Sequence, residues 1–196
     1  MVETRSASAI WNNAGVLRAP NNVTRDGLDI RLAVNTVAPY VLAQQLMPTL
    51  GASGRIVNVS SAAQAPVQIN ALVGATMQDD MAAYSQSKLA IMMWTNHLAS
   101  TIGASGPLAV SVNPGSLLGT KMVKDGFGID GKDVQIGADI LVRAALSDEF
   151  DGQGGKYYDN DANQFGAPHP DALDTDKCAA LVQDIESILA KRTFDN

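Results

Sequence analysis

Residues 55–60 read Arg-Ile-Val-Asn-Val-Ser and residues 108–112 read Leu-Ala-Val-Ser-Val, and these two stretches decide the fold. Both are β-branched runs bounded by glycine, serine or proline, the pattern of strands in a covered sheet. Outward from them, apolar residues recur at helical spacing over about 25–50, 82–103, 137–146 and 176–191. Residues 156–159 are expected to add a third strand. Strands alternating with long helices predict an α/β fold with a parallel sheet, because right-handed crossovers place helices on both faces. The chain has 196 residues, 46% of them hydrophobic. That supports one domain with a sizeable core.

Composition removes several classes of function. Fourteen basic residues against 20 acidic ones give a net charge of -6, so no broad basic surface exists to neutralise a phosphate backbone, and nucleic acid is not an expected partner. Cys178 is the only cysteine. It excludes an internal disulfide and a cysteine-cluster metal site, and it fits a reducing, cytoplasmic compartment. Residues 1–10 contain Glu3 and Arg5 and lack an apolar signal-peptide core. No run reaches the ~18 to 20 apolar residues of a membrane span, so no membrane is expected either.

Two segments lack periodicity. Residues 62–80 contain Pro66 and Gly74 amid Val67, Ile69, Leu72 and Val73, and a loop of that length in a compact domain is expected to be functional or mobile. Residues 159–174, rich in Asp, Asn, Pro and Gly, read as a surface connection. Gly152-Gln153-Gly154-Gly155 reads as a turn into the last strand rather than a phosphate loop, since it does not join a strand to a following helix. His97 and His169 have no carboxylate or second histidine at ligand spacing, so no metal site is expected. Met92, Met93 and Trp94 read as core.

Chemistry is concentrated around Tyr84 and Lys88, four positions apart in a helical pattern and therefore on one face. An ammonium ~4 Å from a phenolate contributes about 4 kcal/mol at an effective dielectric near 20, or roughly three pKa units. Burial opposes part of this, but the expected sign lowers the tyrosine pKa toward use in proton transfer. The strand at 55–60 runs into Ser60-Ser61, placing hydroxyls at a strand's carboxyl end, where ligands bind in open α/β sheets. The strand at 108–112 runs into Asn113-Pro114-Gly115, followed by Thr120 and Met122. Near the start, Asn12-Asn13-Ala14-Gly15 forms a compact turn, and Asn35 sits within a helical stretch, where asparagine is mildly unfavourable.

In this order the Asn-Asn-Ala-Gly turn, Asn35, Ser60-Ser61, Tyr84-x-x-x-Lys88 and Pro114-Gly115 with Thr120 resemble the short-chain dehydrogenases/reductases. The resemblance runs from about Ile10 to Tyr158 and implies a doubly wound, Rossmann-like sheet and an NAD(P)-dependent oxidoreductase. It implies hydride transfer between the cofactor, NAD or NADP, and a carbonyl or secondary alcohol of a small-molecule substrate. Tyr84 is then the general acid/base, Lys88 its pKa-lowering neighbour and ribose ligand, Ser61 the group that polarises the substrate oxygen, and Asn35 the anchor of a proton-relay water. Asn13, Ala14, Gly15, Tyr84, Lys88, Pro114, Gly115, Ser116 and Thr120 are implied cofactor contacts, with a mobile segment following through Phe127. Tyr84 lies 23 positions after Ser61 (84 − 61), longer than is usual in the family. Residues 62–80 therefore resemble an insertion beside the substrate, with Gln64, Val67 and Met77 expected to select it.

The family's opening strand, Thr-Gly-x-x-x-Gly-x-Gly turn and helix are not found in residues 1–196. At ~30 residues per βαβ unit, the missing part amounts to on the order of 60 to 80 residues. Residues 1–9 form an atypical start, and only Ala9, Ile10 and Trp11 are expected to remain of the strand before the Asn-Asn turn. The expectation is a single partial Rossmann-type domain, lacking its N-terminal βαβ units and closed by a C-terminal coil and helix over 159–196. A bare strand edge and uncovered apolar faces would favour a homo-oligomer. The competing expectation is a truncated, inactive fragment that retains the long helices the family uses for subunit contacts.

Overall fold

The computed structural model describes residues 7–72 and 79–191. Five strands form one sheet in the order β1-β2-β3-β4-β5, comprising Ala7–Asn12, Leu50–Val59, Leu108–Asn113, Tyr157–Asp159 and Gln164–Gly166. The first four are parallel, in register through Ile10 with Ile56 and Ile56 with Ala109, and β5 turns back antiparallel to β4. The α/β architecture is as expected, with three differences in its strands. β1 is a full six-residue strand rather than a remnant, β2 begins at Leu50, which the apolar spacing assigned to a helix, and the segment read as coil contains β5.

Strand alternation sorts the core into two layers. Ile56, Ala109 and Tyr157 point to one face, where they pack with Trp94 and Leu89 of α4 (Asp80–Ile102) and with Leu181 and Ile185 of α7 (Thr175–Ala190). Their neighbours Val57, Val110 and Tyr158 point to the other face, against Ile140 and Ala144 of α6 (Gln135–Leu146) and Phe150. Residues 85–95 of α4 are buried on every side, because α7 lies across the face the sheet leaves free. This chain's own α7 therefore covers part of the surface of the long helix α4.

The stretch at 25–50 is not one continuous helix. Gly27 has φ +78°, which turns the chain before Asp29 caps Arg31 and α1 (Ile30–Leu32) begins. A π turn over Ala33–Val37 follows, then α2 (Ala38–Leu46) and a 3-10 turn, Met47–Thr49. Asn35 sits in the π turn, a feature often found at functional sites. The Arg31 side chain is 1% exposed and donates to Asp29 Oδ2 at 2.7 Å and Asp80 Oδ1 at 3.0 Å. This buried pair ties the start of α1 to the first turn of α4. A short helix, α3 (Ile69–Leu72), lies in the loop before α4, and no helix among the described residues is long and apolar enough to cross a membrane.

Candidate active site

The parallel strands β1, β2 and β3 deliver their carboxyl ends to one side of the sheet, and α4 passes beneath them. Buried polar bonds lock that crossing. Asn12 Nδ2 donates to Asn58 Oδ1 at 2.7 Å, Asn58 Nδ2 to Thr95 Oγ1 at 2.7 Å, and Thr95 Oγ1 to the Ile91 carbonyl at 2.5 Å. Every member is satisfied, as a buried network requires. The sequence reading overlooked this ladder, although Asn58 inside an apolar strand was a visible signal.

The two adjacent serines have different tasks. Ser60 is 3% exposed, and its hydroxyl donates to the Lys88 carbonyl at 2.9 Å, so it fastens β2 to α4. The Ser61 hydroxyl accepts from Ala63 N at 3.1 Å and lies close enough to the Tyr84 phenol to influence its ionisation. Lys88 is 3% exposed, donates from Nζ to the Val59 carbonyl at 2.8 Å, and lies 5.6 Å from the centre of the Tyr84 ring. The amine thus faces the aromatic ring, within cation–π range.

The expected lowering of the Tyr84 pKa is reversed. Burial pushes it above the ordinary phenol value of 10.0, and the Ser61 hydroxyl opposes this only in part. Burial also lowers Lys88 from 10.5 to about 8. Helical spacing alone predicts an ammonium close to the phenolate in a partly aqueous setting. In the folded chain the amine is engaged by the Val59 carbonyl, and desolvation outweighs the attraction.

Lys88 carries a pH prediction. Its folded pKa lies below its unfolded one, so between about pH 8 and 10.5 the unfolded chain holds more protons, and stability at this site rises with pH through that window. Below it, the buried charge is a constant cost. In urea denaturation, Lys88→Met is expected to exceed the wild type most clearly at pH 7, with the gap closing toward pH 10. A gap independent of pH would contradict the buried charge.

Asn35 is 1% exposed and wholly engaged through its amide. Its Oδ1 accepts from Val16 N at 2.8 Å, and its Nδ2 donates to the Val16 carbonyl at 2.9 Å and to Ser87 Oγ at 3.0 Å. The side chain therefore pins the Asn-Asn-Ala-Gly turn to α4. Its place in the helix follows from the Val16 backbone groups it satisfies.

A cavity of about 1180 Å³ opens at the carboxyl ends of the strands. It brings together Asn13, Ala14, Gly15, Ser61, Tyr84, Lys88, Pro114, Gly115, Ser116 and Thr120, all expected from the sequence. Asn35, Gln64 and Val67 do not line it. Gln64 Oε1 accepts from His169 N at 2.6 Å, which ties the loop to the C-terminal segment. Val67 packs against the core on the α7 side. These two expected substrate residues are corrected, because the loop after Ala63 folds toward α7; Met77 lies outside the described residues.

Leu17, Met81 and Leu117, which no motif marks, join Met122 and Phe127 in the apolar part of the wall. Met81 stands one turn before Tyr84, which was a usable signal. Met122 and Phe127 belong to α5 (Lys121–Phe127), a helix within the segment expected to be mobile. Thr120 caps it, and Gly128, with φ +68°, ends it in the left-handed region.

Comparison with known proteins agrees with this arrangement. The family model described as short chain dehydrogenase matches residues 3–127. Retinol dehydrogenase 13 of Mus musculus is 30% identical over 199 aligned positions, which cover 91% of this chain and 59% of that protein. A solved protein of Mycobacterium paratuberculosis superposes with a TM-score of 0.75 at 27% identity, covering 93% of this chain and 67% of that one. A short chain dehydrogenase of Burkholderia cenocepacia, solved with NADP, gives 0.57 at 29% identity, covering 78% and 63%. The chain spans 52–59% of the length of the first curated relatives it matches. The sheet is Rossmann-like, as in these solved structures. On the family match over more than half of its length, the chain belongs to the short-chain dehydrogenase/reductase family.

Proposed function

We propose that this chain carries the proton-transfer and nicotinamide-side part of an NAD(P)-dependent oxidoreductase site acting on a carbonyl or secondary alcohol. The observation that carries the reading is that Ser61, Tyr84 and Lys88 share the wall of one large cavity, with the Ser61 hydroxyl acting on the Tyr84 phenol and the Lys88 amine beside the Tyr84 ring. Ser61 orients the substrate oxygen, and Tyr84 exchanges a proton with it. A phenol whose pKa is raised by burial keeps its proton at neutral pH, which suits donation to an oxygen gaining negative charge, the direction of carbonyl reduction. Lys88 holds position through the Val59 carbonyl and presents its charge to the same space.

The residues present fit the nicotinamide and its ribose. A Cβ on Gly15 would stand 3.4 Å from Asn35 Oδ1, 3.5 Å from Lys88 Nζ and 3.7 Å from the Met122 methyl, so glycine leaves open a space that a side chain would fill. Asn13, Ala14, Gly15, Lys88, Pro114, Gly115, Ser116 and Thr120 would hold the cofactor there. NAD(P), when bound, supplies or accepts the hydride. The apolar wall supports an apolar substrate, as does the name of the retinol dehydrogenase relative.

Gly15→Ala tests the site without disturbing the fold, since its Cβ contacts are ordinary ones. NADPH fluorescence titration of the wild-type chain should saturate, and Gly15→Ala should weaken binding about tenfold at an unchanged melting temperature. Absence of saturable binding by the wild type would overturn the proposed function.

A further inference from the structure

We propose that Asp161 is a positioning residue: from the loop beyond β4 it holds the Pro114-Gly115-Ser116 turn in place and so shapes the cofactor side of the cavity. Its functional arm rests on the oxidoreductase reading above; its structural arm does not. Asp161 does not line the cavity, whereas Pro114, Gly115 and Ser116 all do. Any influence it has on a ligand must therefore pass through the turn.

The Asp161 carboxylate gathers donors from three segments. Ser116 donates its backbone N–H at 3.0 Å to each oxygen and its hydroxyl at 2.5 Å to Oδ2. Asn113 Nδ2, at the end of β3, donates to Oδ2 at 3.0 Å, and Lys132 Nζ reaches Oδ1 at 3.4 Å. The flanking residues complete the grip. Asp159 Oδ1 accepts from Asn113 Nδ2 at 2.9 Å and from Asp161 N at 3.1 Å, while Asn160 Nδ2 donates to the Pro114 carbonyl at 2.9 Å.

The turn needs such support. Gly115 has φ +128°, and Leu117, two residues on, has φ +57°, a left-handed conformation that a leucine adopts only when its surroundings impose it. Burial alone would push the Asp161 carboxyl up, but hydrogen bonds from Ser116, Asn113 and Lys132 pull it down to about 2. The group is therefore a carboxylate throughout the working pH range, and charge-assisted bonds of this kind are stronger than neutral ones. Because Ser116 uses both of its donors on Asp161, it has none left for a cofactor and can offer its hydroxyl only as an acceptor.

The test compares wild type, Asp161→Ala and Asp161→Asn by hydrogen exchange and NADPH titration. In the unliganded chain, amides over 113–120 should exchange about tenfold faster in Asp161→Ala, and less so in Asp161→Asn, with 84–95 unchanged. NADPH affinity should fall about tenfold in Asp161→Ala and be partly restored in Asp161→Asn. Unchanged exchange over 113–120, or a loosened turn with unchanged NADPH affinity, would overturn the proposal. Exchange that also rises over 84–95 in both variants would mean general loosening and would overturn it too. A wild type that binds no NADPH refutes the oxidoreductase reading instead, and the exchange result still decides whether Asp161 holds the turn.

Discussion

Tyr84→Phe should lower the turnover number for NADPH-dependent reduction of decanal, a simple apolar aldehyde, by about 100- to 10,000-fold, the range a positioned general acid contributes. The substitution removes one oxygen from a ring that otherwise keeps its place against Lys88, so NADPH binding should be retained. Removing the partner hydroxyl with Ser61→Ala should reduce turnover in the same direction. The two losses should be less than additive, because the two hydroxyls act together at one site. Full activity in Tyr84→Phe would exclude the phenol as the proton carrier.

Arg31→Met should destabilise the chain by about 3 kcal/mol or more, because it leaves the buried carboxylate of Asp29 without its counter-ion. Asp80 loses less. It is a third exposed and keeps Arg18 at 3.5 Å and Asn22 at 3.3 Å. At roughly 2 to 4 °C per kcal/mol for a chain of this size, the melting temperature should fall by roughly 6 to 12 °C. The effect should also reach catalysis, since Asp80 begins the helix that carries Tyr84 and Lys88. A change below about 1 kcal/mol, typical of exposed pairs, would show that the network is no more than a surface feature.

Much of the fold and the centre of the site could be read from local pattern. Tyr84, Lys88 and Ser61 are marked by a helical interval and a strand end, both short-range features, and these predict which side chains can meet. Their electrostatics could not be read in the same way. The direction of the Tyr84 shift depends on burial and on Lys88 turning to the Val59 carbonyl, a contact across 29 positions. Gln64 and Val67 were assigned to the substrate because their loop follows Ser61, yet the loop's path is set by Gln64 bonding to His169, 105 positions away.

The misread elements share a cause. β5 has three residues and α5 has seven, too few for periodicity to emerge, and each is fixed by tertiary partners. The first half of β2, Leu-Gly-Ala-Ser-Gly, has none of the β-branched content of its second half, and pairing with β1 rather than propensity extends it. Asp161 was hidden for a similar reason. An aspartate among Asp and Asn residues looks like solvated coil until Ser116 and Asn113 are brought to it.

The most direct measurement is isotope transfer. The purified chain is incubated with NADPH deuterated at the transferable C4 position and with decanal, and the product is analysed by mass spectrometry. The account predicts decanol carrying one deuterium at C1, with label transfer strongly reduced in Tyr84→Phe. NADPH that binds without passing deuterium to the aldehyde, or transfer equally fast in Tyr84→Phe, would contradict it.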